Sequence, residues 1–530
     1  AALAQICWSA RPSCSHMSAP TEATSSSSLL RRYSLWGVGC VFGFPALGGA
    51  LFGYDIGATS YVITQLMDEK RSGVSWSGAV KNSSILQGVI TSGGVAGAFV
   101  GALIVFRVAD AVGRRKEMVL GSYLYLVGGS LEMISGGVGQ GTTIGVGLAA
   151  LLLGRFAYGV GCGFVMHGAP SYIAEMAPPS IRGTLVSLKE AAIVVGIAVG
   201  YGVGYGLSRT KHGWQLAYGL SLPLSLILWA GCTLVLPPSA RWLALRGEPV
   251  KAQRSLRFVY SDERAIQAAA AELNDALSDE TTPDEESTVG STVGSLPGLD
   301  DDTADPSLWE PRYRRPLVAG LGVVLLQQFT GQPSVLYYAS SIFDEAGIGA
   351  IATVFVGLFK LVATLGAVVT VDRRGRRRLL FEGTAVILVS LVGLAVAFAT
   401  LSSSNAAGQG LVVALVFLYI SGYQFGFGPC AWLLISEIFP LKVRGQAVAL
   451  AVQANFAANL FVSLLFPVAL GLLRSLAGTK AALAALFGLF AVLAAYSLTF
   501  IHRFVPETKG LTLEQIEQYW SSSSSSSSEG

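Results

Sequence analysis

Several polar and charged side chains lie inside long apolar stretches of this 530-residue chain. In apolar surroundings such groups are costly unless they are paired or used. A carboxylate and a guanidinium that separate can load and release a proton, and neighbouring amides can hydrogen-bond the hydroxyl groups of a ligand. The residues in question are Asp55, Arg155, Glu190, Gln327, Gln328 and Lys360.

Membrane-spanning helices are the elements that must position these residues. The chain is 52% hydrophobic and only 13% charged, whereas about a quarter of the residues in a soluble domain are charged. Spanning a bilayer takes roughly 20 helical residues. Twelve stretches meet that length, at 35–58, 84–106, 117–136, 144–170, 184–207, 213–236, 316–345, 350–371, 379–401, 409–436, 445–472 and 480–504. The sequence therefore predicts an all-α membrane protein with twelve transmembrane helices in a lipid bilayer.

The distribution of charge predicts the orientation of these helices. Between Asp262 and Glu310 there are 14 acids and one base, so the rest of the chain holds 35 bases against 19 acids. The bases are scattered over short connections, which fits the flanks of membrane spans rather than a nucleic-acid-binding face. The positive-inside rule then predicts that the basic connections and both chain termini face the cytosol.

The composition also predicts the domain boundaries. Two six-helix bundles are expected at 35–236 and 316–504, joined by a cytosolic acidic loop at 237–315 whose composition predicts disorder. Residues 1–34 are rich in Ser and Ala and contain a single acid, Glu22, which is typical of a disordered tail or of a transit peptide. Residues 505–530 are expected to form a cytosolic C-terminal tail.

An internal duplication is the most specific pattern in the sequence. Eight residues recur at a constant offset of 262 positions, which chance alone seldom produces. Asp110, Gly113, Arg114, Arg115, Glu175, Pro178, Arg182 and Gly183 correspond to Asp372, Gly375, Arg376, Arg377, Glu437, Pro440, Arg444 and Gly445. Two parallel six-helix repeats would place a substrate site between them at mid-membrane, the layout of an alternating-access transporter.

The charges of the duplicated turns predict a gating network at the cytosolic face. Such a network could hold the outward-open state closed from inside and break when the bundles rock. The alternative is that the arginines only set topology, which explains the acids less well. The predicted network consists of Asp110, Arg114, Arg115, Glu175, Arg182, Asp372, Arg376, Arg377, Glu437 and Arg444.

Specific motifs resemble the sugar-porter family of the major facilitator superfamily over residues 35–517. They are G-Y-D at 53–55, G-R-x-x-x-G at 154–159, the two turns, P-P-S-A-R-W-L at 237–243, Q-Q-F-T-G-Q-P-S-V-L-Y-Y at 327–338, G-P-C-A-W at 428–432 and P-E-T-K-G at 506–510. The stretches at 167–175 and 183–190 are most similar to the plant and algal vacuolar and plastid glucose or xylose transporters. The resemblance implies the major facilitator fold, a vacuolar or plastid envelope membrane and a monomer.

The resemblance also implies a monosaccharide site on the second half of the chain. Its residues would be Gln327, Gln328, Tyr337, Tyr338, Trp432 and Asn455. Amides can bind sugar hydroxyls while an aromatic ring covers the apolar C–H face. The alternative, in which the glutamines only bond neighbouring helices, stays open.

A proton is the co-substrate that the resemblance implies. In this family the aspartate of G-Y-D is the proton-coupling residue, and passive members carry asparagine there. Asp55 would then couple sugar movement to a proton, with Arg155 as its partner. The alternatives are that the two residues form a static pair, that the protein is a passive facilitator, or that it is a sugar sensor without turnover.

Some positions depart from the family pattern. Glu190 replaces a sugar-binding glutamine, Pro333 replaces a sugar-binding asparagine, and Lys360 replaces an asparagine, and we assign all three to the substrate site. We expect Glu190 and Lys360 either to pair across the central cavity or to bind the sugar jointly. The alternative is that Lys360 extends to an interface and Glu190 meets water.

The sequence predicts neither an enzyme nor a cofactor site. It contains no recognisable nucleophile and base arrangement and only four histidines. The six cysteines have no close spacing, so no metal site or disulfide framework is expected. The expected partners are a monosaccharide, a proton and the bilayer.

Overall fold

The protein is described here by a computed structural model. It describes residues 33–137, 144–281, 308–400, 406–439, 441–509, 515–516 and 520. The predicted N-terminal tail lies outside the described residues up to position 32, and so does the stretch 282–307 of the acidic loop.

The first half of the chain forms six helical columns. They are α1 (Leu35–Leu66), α2 (Ser84–Val112), α3 (Arg114–Ile134), α4 (Ile144–Met176), α5 (Pro179–Leu207) and α6, which consists of Gly213–Gly219, Ser221–Ala230 and a π-helical turn at Gly231–Val235. The turns at the basic ends of these columns are tight, and Gly113 adopts a φ of 85° between α2 and α3.

The second half repeats this arrangement. Its columns are α7 (Arg314–Phe329, Gln332–Tyr337 and Ala339–Glu345), α8 (Ala352–Arg374), α9 (Arg376–Thr400), α10 (Ala406–Phe425 and Phe427–Ile438), α11 (Leu441–Ala477) and α12 (Thr479–Phe504). Gly375, between α8 and α9, has a φ of 91° and so matches Gly113 of the first half.

Nine helices within the described ranges are long and apolar enough to cross a membrane by length and composition. The other three columns differ for visible reasons. Helix α3 carries two buried acids, Glu117 and Glu132. Helix α7 is broken after Phe329 and at Tyr338, and α8 is apolar only over Ala352–Ala367. In these three columns, buried acids, helix breaks or a short apolar run account for the difference.

Glycines let the backbones of α2, α3 and α4 approach closely around Arg155. A Cβ atom on Gly159 of α4 would overlap the carbonyl oxygen of Gly94 in α2. A Cβ atom on Gly154 would lie 2.9 Å from the backbone nitrogen of Glu132 in α3. Small residues at such crossings permit helix contact in lipid. The two glycines of the G-R-x-x-x-G motif therefore bring α3 and α2 into close contact with α4 on either side of Arg155 in the sequence.

Replacing Gly159 with alanine should destabilise the protein because the new methyl group meets backbone rather than a flexible side chain. Overpacking of this kind costs about 1–3 kcal/mol. The measurement is thermal unfolding of purified protein in detergent. Gly202→Ala is the matched control, since a Cβ atom on Gly202 of α5 has open space around it. Equal melting temperatures for the two variants would show that the α2–α4 contact is not tight.

Hydrogen bonds between described residues of the two halves lie near one end of the bundle. We call the end that carries the turns at Gly113 and Gly375 the basic end, and the other the opposite end. Hydrogen bonds near the opposite end join Ser60 to Ser340 (3.1 Å), Tyr61 to the carbonyl of Ala350 (2.6 Å) and Tyr201 to the carbonyl of Leu336 (2.7 Å). At the basic end, Gly183 of α5 and Gly445 near the start of α11 have no neighbour within 4 Å of a would-be Cβ atom. The two halves are therefore joined near the opposite end, whereas Gly183 and Gly445 are not packed against a neighbour at the basic end.

The acidic loop contains helices, so the prediction of disorder is wrong for part of it. Ala240–Leu245, Pro249–Leu256 and Glu263–Thr281 are helical. The indole nitrogen of Trp242 donates to the carbonyl oxygen of Asp110 (2.9 Å), and Leu243 and Leu256 are buried. The segment is acidic overall, but its apolar residues are buried. They hold the segment against the basic end.

Candidate functional site

A buried charge cluster connects α1, α3 and α4. Arg155 is 0% exposed and forms an ion pair with Asp55 of α1. Its Nη1 atom also lies 3.5 Å from Oε1 of Glu132, which is 1% exposed. The guanidinium Nε donates to the carbonyl of Ile90 in α2 (3.3 Å). The structure thus brings together the two residues predicted from the sequence and adds a second carboxylate.

Glu132 is the residue of this cluster that the sequence interpretation missed. It lies within the predicted third span at 117–136, where an acid is itself a signal of function. The signal was available, but spacing along the chain does not show that Glu132 contacts Arg155, 23 positions away.

An amide cluster connects α7, α10 and α11 in the second half. The Nε2 atom of Gln327 donates to the hydroxyl of Tyr423 (2.8 Å), and Asn455 donates to Oε1 of Gln327 (3.4 Å). The neighbouring Gln328 accepts from Asn459 (3.2 Å). The predicted amides therefore bond neighbouring helices in this state, and a ligand hydroxyl could exchange with these bonds because amides both donate and accept. Tyr423 and Asn459 were not identified from the sequence.

The broken helix α7 places the predicted tyrosines in the interior. Gly331, with a φ of 94°, precedes the segment Gln332–Tyr337. Pro333 lies in the first turn of this segment and has neither a side-chain amide nor a backbone N–H to donate. Tyr337 is buried, and Tyr338 donates to the carbonyl of Ser463 in α11 (3.1 Å). The remaining predicted aromatic residue, Trp432, is partly buried on the second segment of α10.

Glu190 and Lys360 do not pair with each other in this state. Glu190 is paired with its buried neighbour Lys189 (2.7 Å), and 53% of its side chain is exposed. Lys360 donates to Oε1 of Gln424 (2.7 Å) and lies 5.1 Å from the ring centroid of Tyr423. The predicted contact is absent here because each charge has a nearer partner within its own half. Their pairing in another state of the cycle stays a prediction.

At the basic end of the first half, Arg114 is the centre of an ion-pair network. It contacts Asp110 (3.0 Å), Glu117 (3.2 Å) and Glu175 (3.2 Å). Glu175 also accepts from the hydroxyl of Ser239, which lies just beyond α6. The predicted partners Asp110, Arg114 and Glu175 are therefore brought together, and Glu117 and Ser239 extend the network.

The second half repeats this arrangement. Arg376 pairs with Glu437 (2.9 Å), which accepts from the hydroxyl of Thr508 (2.5 Å) beyond α12. Arg377 donates to the carbonyl of His502 (2.6 Å), as Arg115 does to the carbonyl of Cys232 (2.8 Å). The duplication thus includes the motifs after α6 and α12, whose hydroxyls take equivalent places.

Two predicted members of the network lie apart from it. Arg182 is exposed and forms no ion pair with another described residue. Arg444 donates to the carbonyl of Phe439 (3.1 Å) in its own half. The side chain of Asp372 lies outside the described part of the structure. The ion pairs found among the described residues at the basic end stay within one half, as expected if that end is open.

The family model described as "Sugar (and other) transporter" matches residues 41–520. The chain belongs to this family. It is 42% identical over 489 residues to D-xylose-proton symporter-like 2 of Arabidopsis thaliana, covering 90% of this chain and 89% of that protein. It is 40% identical over 491 residues to the chloroplastic D-xylose-proton symporter-like 3 of the same plant, covering 90% of this chain and 81% of that protein.

The fold of this sugar transporter is also that of a solved structure. The xylose transporter XylE from E. coli, in a partially occluded inward-open conformation, is 26% identical with a TM-score of 0.71, covering 90% of this chain and 100% of that one. The predicted family and the major facilitator fold with twelve helices in two repeats are confirmed. The protein is a multi-pass membrane protein of the sugar transporters.

Proposed function

We propose that the protein moves a monosaccharide of the glucose or xylose type by alternating access, in symport with a proton. The observation that carries the proposal is the presence of two buried polar sites, the pair of Asp55 and Arg155 in one half and the amide cluster of Gln327 and Asn455 in the other. Relatives named D-xylose-proton symporter-like and a xylose transporter of the same fold support it.

Coupling between the two sites would run through α7. Tyr337, from the second half, lies within electrostatic range of Asp55 and Arg155. It belongs to the same broken helix as Gln327, so sugar binding that moves this segment changes the surroundings of the charge pair. Uptake and release of the coupled proton would change the net charge around the Asp55–Arg155 pair, and the bundles at 35–236 and 316–504 would rock about the substrate.

The basic end is the cytosolic end in this proposal. Lys and Arg concentrate there, as the positive-inside rule expects. The structure is then the inward-facing state, and the two networks around Arg114 and Arg376 would hold that end closed in the outward-facing state. A vacuolar or plastid envelope membrane is the proposed location, supported by one relative that is named chloroplastic.

Counterflow in proteoliposomes tests the proposed transport. Vesicles preloaded with unlabelled D-glucose or D-xylose should take up the labelled sugar transiently above equilibrium, and an equal load of an amino acid should not support this uptake. Protein-free vesicles are the control. Sugar binding without exchange would indicate a sensor and contradict the proposal.

A further inference from the structure

We propose that Glu132 is a second proton-binding carboxylate of this transporter, so that Asp55 and Glu132 share one guanidinium and hold one proton between them. The inference rests on the proposed proton coupling and assigns it to a two-carboxylate site on α1 and α3. All three charges are buried, with Asp55 5%, Glu132 1% and Arg155 0% exposed.

The charges of Asp55, Glu132 and Arg155 balance only if one proton is bound. Within the described ranges, Arg155 is the only cation that forms an ion pair with Asp55 or with Glu132. One guanidinium compensates one carboxylate, so the ionised cluster holds an excess negative charge that is buried within the protein. Such a charge is expensive unless it is neutralised. A single proton on one of the carboxylates removes the excess.

The contacts with Arg155 indicate which of the two carboxylates holds that proton. Asp55 has the direct ion pair with Arg155, while Glu132 has only the longer contact of 3.5 Å. Glu132 is therefore the carboxylate that binds the proton while Asp55 stays paired. The O–H bond of Glu132 forms as a hydronium ion gives up its proton and becomes water. It breaks when the proton passes to another water molecule, which becomes hydronium, and no other bond changes.

The groups around the cluster offer no competing base. Glu132 faces Asp55, Arg155, Tyr158 and Tyr218. Asp55 faces in addition Tyr54, Tyr125, Cys162 and Tyr337. Tyrosine and cysteine are neutral at pH 7 unless strongly perturbed. The charge of the site is thus decided by the two carboxylates and the guanidinium.

The position of Glu132 also gives it access to water in the other state. Arg155 precedes the last residue of α4, Met176, by 21 residues, which is about 30 Å of helix from the basic end. Glu132 lies two residues before the end of α3 at Ile134. The opposite end is closed in this structure by contacts such as Tyr61 to Ala350. Opening that end exposes the cluster to the side from which the proton enters.

The experiment measures D-glucose and D-xylose affinity as a function of pH. Binding linked to one proton should weaken about tenfold per pH unit above the apparent pKa of the site. The wild type should show this slope, and Glu132→Gln should bind without it because the remaining Asp55–Arg155 pair is balanced. Glu132→Asp should keep a slope. Glu69→Gln, an exposed carboxylate near the same end, is the matched control and should behave as the wild type.

The outcomes separate this inference from the proposed function. A wild type that binds sugar without any pH slope contradicts proton coupling itself and, with it, the role of Glu132. A Glu132→Gln protein with the wild-type slope, alongside a flat Asp55→Asn protein, overturns only the role of Glu132.

A measurement on unmodified protein covers the case in which Glu132→Gln does not fold. The infrared band of a protonated carboxyl group should shift when glutamate is isotopically labelled in the wild type. A shift with labelled aspartate alone would overturn the inference.

Discussion

Replacing Arg155 with methionine should destabilise the protein by about 3–5 kcal/mol, the usual cost of removing one partner from a buried ion pair. The side chain is fully buried, and its loss leaves Asp55 and Glu132 without a cation. We expect a large drop in the melting temperature of purified protein, together with loss of transport.

Two variants distinguish this charge effect from lost packing. Combining Arg155→Met with Asp55→Asn and Glu132→Gln removes the uncompensated charges and should recover most of the stability. Arg71→Met is the matched single substitution, because Arg71 pairs with Asp68 (3.1 Å) with 53% of its side chain exposed. An exposed pair of this kind contributes at most about 1 kcal/mol. If Arg155→Met and Arg71→Met melted alike, the account of a charge-balanced cluster would be wrong.

Replacing Gln327 with alanine should weaken sugar binding about 5- to 150-fold. The substitution removes the donor and the acceptor with which Gln327 would bind sugar hydroxyls in exchange for its present bonds to Tyr423 and Asn455. An unsatisfied buried partner costs about 1–3 kcal/mol, and 1.4 kcal/mol is tenfold in affinity. The measurement is the KM for D-glucose and D-xylose uptake, with maximal rate compared at saturating sugar.

Gln87→Ala is the matched control for this substitution. Gln87, on α2, binds the backbone carbonyl of Val80 (2.9 Å) near the opposite end and touches none of the amide cluster. Its KM should equal that of the wild type. An unchanged KM in Gln327→Ala as well would mean that Gln327 only joins helices, the alternative that the sequence left open.

The sequence predicted those parts of the fold that follow from hydropathy and repetition. Twelve apolar stretches and the offset of 262 residues were sufficient for the two repeats, because membrane helices are constrained by length. The pairs of Arg114 with Glu175 and of Arg376 with Glu437 also follow from the repeat, since each joins equivalent helix ends.

Contacts that depend on side-chain direction could not be predicted in the same way. Glu190 and Lys360 are opposite charges on different halves, yet each finds a nearer partner in Lys189 and in Gln424. Glu132 reaches Arg155 only because Gly154 lets α3 and α4 meet. These contacts depend on helix rotation and on the state of the transport cycle, which residue spacing does not specify.

Sugar uptake into proteoliposomes under an imposed pH gradient, with wild type and Asp55→Asn side by side, tests the central claim most directly. Asparagine keeps the shape of Asp55 but cannot exchange a proton. The account predicts that the gradient drives the wild type to accumulate D-glucose or D-xylose above equilibrium, while Asp55→Asn only equilibrates it. Uptake that merely equilibrates in both proteins would contradict proton symport and would leave a facilitator in which Asp55 is structural.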